Sequence, residues 1–179
     1  MHYCLMLFTK DCPTEDYISK LMAPYDCENS QDNKSFPQFT WDWYEIGGRY
    51  NGKIKLKVDE NSEKYKWQYI DAKGRNGCLF WSYLLKKLQR CSPFFREENF
   101  YNSMGCKDGY LYVDGAPVKD ILNFDELSCY TFMTEDGQAY SKDWWDGKAF
   151  IVNNDFEDRL KSQKDKSQDL FVTIIDYHD

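Results

Sequence analysis

No run of about twenty apolar residues occurs anywhere in the chain, so nothing in it reads as a membrane-crossing helix. Paired cysteine spacing is missing as well. The seven cysteines, Cys4, Cys12, Cys27, Cys78, Cys91, Cys106 and Cys129, are odd in number and never fall in a C-x-x-C step. Zinc sites and a disulfide framework both lose support from that pattern. Residues 2–8 are too short for the apolar core of a signal peptide and lack a basic start, so free thiols in a reducing cytoplasm are the expectation. Positive charge is scarce: 23 Lys and Arg against 30 Asp and Glu leave a net charge of -7. That balance argues against non-specific binding of nucleic acid, which needs a basic face. It suits solubility, or docking onto a basic partner surface. Catalytic fingerprints are absent too. The chain has no G-x-S-x-G elbow, Walker A loop, H-E-x-x-H helix or dinucleotide fingerprint, so no cofactor is expected and a binding protein is favoured over an enzyme.

Aromatic residues, by contrast, are plentiful. Six Trp, fourteen Tyr and twelve Phe exceed what a core of this size usually takes, which points to rings lining a concave surface or an interface. A length of 179 residues fits one domain, which would bury roughly 70% of the surface of its unfolded chain.

The order of elements follows from periodicity. "HYCLMLFT" is an apolar run of strand length, and "PTEDYISKLMAPY" places Ile18, Leu21 and Met22 at helical spacing behind Thr14 as N-cap. Residues 26–38 are polar and turn-rich. "FTWDWYEI" and "YNGKIKLKV" both read as strands, with Gly47-Gly48 between them as a hairpin turn or bulge requiring positive φ. In the second, Lys53, Lys55 and Lys57 alternate with Ile54, Leu56 and Val58, as an exposed face does against a buried one. "CLFWSYLLKKLQR", residues 78–90, has an amphipathic helical stripe that Ser92-Pro93 ends. "GYLYVDGAPV" reads as strand and turn, and "LSCYTFMTEDGQAYSK" as a hairpin around Asp136-Gly137. A short polar helix in "NDFEDRLKSQKD", capped by Asn153 or Asn154, leads to the apolar closing strand "DLFVTIIDYHD". Together these pieces predict a single α+β domain over 1–179 with two to three helices and a largely antiparallel sheet. The first and last strands lie in that sheet, side by side as in ferredoxin-like sheets.

Two constellations carry candidate chemistry. In "WDWYEIGGRY", Arg49 follows Gly47-Gly48, offering backbone N–H groups and a guanidinium suited to phosphate or carboxylate. Trp41, Trp43, Tyr44 and Tyr50 stand ready to stack a base or ring beside it. The competing explanation is structural: glycines for a turn, Arg49 paired with Asp42 or Glu45, and aromatics in the core. The second constellation uses the only two histidines, His2 in the first strand and His178 in the last, with Asp176 two positions before His178 on the same strand face. If the two strands pair antiparallel, the rings meet, and two imidazoles with a carboxylate can hold a metal or carry acid–base chemistry. The basic, Gly-containing stretch "DAKGRNG", residues 71–77, reads as a loop able to assist with phosphate.

"WDWYEIGGRY", "MTEDGQAYSKDWWDG" and "VTIIDYHD" together resemble a family of phage and prophage proteins with a W-D-W-Y-x-I-G-G-R-W-like motif, a D-G-x-W-H hairpin followed by a Trp-rich segment, and a last strand ending in D-x-H. Here Tyr50 stands for the family's Trp, and Ala139-Tyr140 for its Trp-His. The resemblance implies a protein acting in a bacterial cytoplasm, where phage proteins of this size counter host defence. Three readings therefore stand: capture of a small anionic, nucleotide-like ligand, inhibition of a bacterial defence protein through an acidic aromatic surface, or a small hydrolase or metalloenzyme built on the histidines.

Overall fold

Two eight-residue strands, β1 (His2–Thr9) and β12 (Phe171–His178), lie antiparallel at the centre of the main sheet, in a register that sets His2 opposite His178 and Thr9 opposite Phe171. The computed structural model that shows this describes residues 1–28, 39–57, 67–69, 79–81, 110–146 and 148–179. Both strands are almost entirely buried, which explains their apolar composition and their position away from the edges. The sheet continues through β2 (Trp43–Ile46), antiparallel to β12, and through β8 (Thr131–Met133), parallel to β1. Strand β9 (Ala139–Ser141) closes the far edge as the hairpin partner of β8, turning at Gly137 with φ of 82°. The order is thus β2-β12-β1-β8-β9, with β7 (Gly115–Pro117) pairing the other half of β12's outer edge. A ferredoxin-like sheet would interpose a strand between β1 and the parallel strand after its crossover; here β1 and β8 are direct neighbours.

Alternation along β1 and β12 sorts the core into two layers. On one face Leu5, Leu7, Ile175 and Tyr177 pack with Ile18 and Met22 of helix α1 (Glu15–Met22) and with Phe39. Thr14 caps α1, its side chain accepting from the Tyr17 N–H at 3.2 Å, as the sequence predicts. On the other face Met6, Phe8, Val172 and Ile174 pack with Phe156 and Leu160 of helix α2 (Phe156–Lys166) and with Ile54 and Leu56 of β3 (Ile54–Lys57). The capping residue of α2 is Asp155, one position beyond Asn154 and two beyond Asn153, the expected caps, although the Asn153 side chain accepts from the Asp155 N–H.

Two further expectations are corrected. Strands β2 and β3 do not form a hairpin: β3 pairs with β6 (Tyr110–Val113), while β2 joins β12. Apolar alternation in β2 and β3 fits a strand with any partner, and the two-glycine turn sends the chain into a 3-10 turn, Gly48–Tyr50, rather than back on itself. The helical stripe predicted from residue 78 also fails at its start, because Leu79–Trp81 is strand β5, paired with β4 (Trp67–Tyr69). Leu, Phe and Trp in succession serve a strand as well as a helix, and pairing with Trp67 and Tyr69 decides between them. The rest of that stripe, and "DAKGRNG", lie outside the described residues. The last hairpin, β10 (Asp143–Trp145) with β11 (Phe150–Val152), forms a small separate sheet. Among the described residues no helix is long and apolar enough to cross a membrane.

Candidate acid–base site

On the face that carries Met6, Phe8, Val172 and Ile174, the apolar column turns polar at one end of the sheet. Register places Trp43, His178 and His2 side by side across β2, β12 and β1, with Glu45, Asp176 and Cys4 in the row behind. The two imidazoles face each other edge to face, ring centroids 5.3 Å apart, and Trp43 stands 5.9 Å from His2. Each ring is held by its own carboxylate: His2 Nδ1 lies 3.0 Å from Asp176 Oδ1, and His178 Nδ1 lies 2.8 Å from Asp42 Oδ1. An ionised carboxylate can only accept, so each Nδ1 carries the hydrogen, and Nε2 is the nitrogen left for other chemistry. Among the described residues neither Nε2 has a hydrogen-bond partner.

Asp176 is fully buried, an expensive place for a carboxylate unless all of its oxygens are matched. Oδ1 takes His2, and Oδ2 accepts the backbone N–H of Arg49 at 2.9 Å. The Gly-Gly pair makes that second bond possible. Gly47 and Gly48 both have left-handed φ, 70° and 48°. A Cβ on Gly48 would sit 2.5 Å from Asp176 Cβ and Oδ2, and one on Gly47 would sit 2.5 Å from Asp114 Oδ2. The turn is wedged between two carboxylates, and Asp114 in turn accepts the Gly52 N–H at 2.7 Å. Burial raises the Asp114 carboxyl to about 6, with the Gly52 bond opposing the rise and nearby Glu45 adding to it.

The seven residues proposed for a ligand therefore divide. Gly47 and Gly48 serve the turn, and the Arg49 N–H is spent on the chain's own Asp176 rather than left for an external anion. Trp41 packs against the core and donates its indole N–H to Met22 O at 2.9 Å, with Tyr44 edge-on to it at 4.9 Å. Tyr50 packs on the opposite layer and donates to His2 O at 3.1 Å. Trp43, 45% exposed, and the exposed Arg49 face solvent. Among the described residues Arg49 has no ion pair, since Asp42 serves His178. His2, His178 and Asp176 do come together as the register implies, but the carboxylates bind Nδ1 and no group of three or more His, Cys, Asp or Glu side chains among the described residues is arranged to hold a metal ion. Sequence reasoning missed two members: Asp42, weighed only as a partner for Arg49, and Asp114, read as a turn residue. The pairing of β2 with β12, which brings Asp42 to His178, has no local sequence signal.

Comparison with known proteins finds no matching family model, no matching curated protein and no matching solved structure.

Proposed function

We propose that this protein cleaves a small phosphoester carrying a ring, such as a nucleotide, by acid–base chemistry at His2 and His178. The observation that carries this reading is the facing pair of imidazoles, each fixed by a carboxylate at Nδ1 and each with Nε2 unengaged among the described residues. One imidazole in its neutral form takes a proton from water, and the other, protonated, gives one to the leaving oxygen. The water oxygen forms the new P–O bond, the ester P–O bond breaks, and the proton count closes between the two rings. The two rings differ in setting: His2 pairs with the buried Asp176, and His178 with the solvent-exposed Asp42. Trp43 offers a ring face for stacking and Arg49 a guanidinium for the phosphate. A phosphate nucleotide signal of a bacterial host is a substrate consistent with the likeness to phage proteins.

Capture without turnover is a second reading, favoured by the exposure of Trp43 and Arg49. One experiment separates the two. Cyclic and linear nucleotides are incubated with wild type, His2→Gln and His178→Gln, and bound ligand and products are read by mass spectrometry. Catalysis predicts product with wild type and a loss of about 10²- to 10⁴-fold in each variant. Ligand retained without product supports capture, and neither ligand nor product removes both readings.

A further inference from the structure

The opposite face of the same sheet end holds a pocket of about 240 Å³. Tyr3 and Tyr177 form its floor, one position along from His2 and His178 and so on the other side of the pleat. The Tyr177 hydroxyl is tied to Thr131 Oγ1 at 2.7 Å, and Thr131 Oγ1 to Ser141 Oγ at 2.7 Å, so this part of the floor presents ring surface rather than free polar atoms. Tyr130 stands 4.4 Å from Tyr3 as one wall. The β10–β11 hairpin brings Trp144 to the lining and sets Trp145 and Phe150 at the rim, their centroids 5.3 Å apart. Phe150 is 71% exposed, a costly position for a ring.

The charges in this pocket have one sign. Asp143 and Asp179 line it, and among the described residues its lining contains no Lys or Arg. Asp143 accepts from Tyr130 Oη through Oδ1, and Asp179 accepts from Thr40 Oγ1 at 2.8 Å through Oδ1. Among the described residues the second oxygen of each has no donor. The Met1 ammonium contacts the Asp179 backbone carbonyl, not its carboxylate. Electron-rich ring faces with carboxylates among them attract a cation and disfavour an anion or a neutral ring of the same size.

We propose that this pocket binds a small organic cation, an ammonium or guanidinium on an apolar body, held over the rings of Tyr3, Tyr130 and Trp144 with Asp143 as counter-charge. The site lies on the other side of the sheet from His2 and His178 and does not depend on their chemistry.

The test titrates the full chain with benzyltrimethylammonium, benzyl alcohol and benzoate, following tryptophan fluorescence and confirming by calorimetry. Saturable binding is expected for the cation alone. Asp143→Asn, which keeps the size of the side chain, is expected to weaken it about three- to tenfold, and Trp145→Ala, a rim change outside the core, about threefold or more. Circular dichroism verifies that both variants are folded. Equal binding of all three probes, no binding of the cation, or binding indifferent to both substitutions overturns the proposal.

Discussion

His2 and Asp176, 174 positions apart in sequence, meet at 3.0 Å between Nδ1 and Oδ1, and the second oxygen of the same carboxylate holds the Arg49 N–H. One buried aspartate thus couples the first strand, the last strand and the Gly-Gly-Arg turn. The presence of two adjacent glycines in an aromatic segment has its explanation there: the turn must pass so close to Asp176 and Asp114 that neither position tolerates a side chain.

Replacing Gly48 with Ala tests that coupling. The residue would have to hold φ of 48°, which costs about 1 to 2 kcal/mol, and its Cβ would collide with Asp176. The expected loss is at least about 2 kcal/mol in chemical unfolding, accompanied by a shifted His2 imidazole resonance. A near-neutral result would mean that the turn has room it is not shown to have.

Arg49→Ala is expected to behave differently. Its bond to Asp176 comes from the backbone and survives the substitution, and the side chain is exposed. Stability should change by no more than about 0.5 kcal/mol, while binding of a phosphate-bearing ligand weakens by about 1.5 to 3 kcal/mol. A large loss of stability would return the guanidinium to an architectural role.

Asp114 gives the molecule a pH dependence of known sign. Burial holds its carboxyl at about 6 in the folded chain, above the roughly 3.9 of an ordinary aspartate, so the folded state binds the proton more tightly. The stabilisation is full below about pH 4 and is lost as pH rises through about 6. Because the side chain is only partly buried, the change is on the order of 1 to 2 kcal/mol. Asp114→Asn keeps an acceptor for the Gly52 N–H and should flatten this segment of the pH–stability curve. An unchanged slope would assign the titration to another group.

Thiol chemistry should follow burial. Cys4 and Cys129 are buried free thiols, and burial pushes Cys4 up to about 11 and Cys129 higher still. Iodoacetamide at pH 8 is expected to leave both unmodified in the folded chain and to label them once it is unfolded. Rapid labelling of either in the native state would contradict the described core.

The outline of the fold was legible because its signals are local and strong. β1 and β12 are long and apolar enough to demand a central place, Thr14 is a capping residue in front of a helical period, and Asp136-Gly137 marks a tight hairpin. The meeting of His2 and His178 followed from one assumption about pairing. What escaped depends on which strands pair. Nothing local in "WDWYEI" announces that β12 rather than β3 is its neighbour, and hence that Asp42 serves His178. The Gly-Gly-Arg turn reads as an anion cradle from sequence because the internal carboxylates that crowd it, Asp114 and Asp176, lie 62 and 127 positions away from the N–H groups they accept.

The central claim, that the two imidazoles act as acid and base, is tested most directly by the pH dependence of phosphoester cleavage in wild type, His2→Gln and His178→Gln. The account predicts a bell-shaped wild-type profile, with one limb lost in His2→Gln and the opposite limb lost in His178→Gln, on top of reduced rates. A wild-type rate that both variants retain across the whole pH range would contradict it.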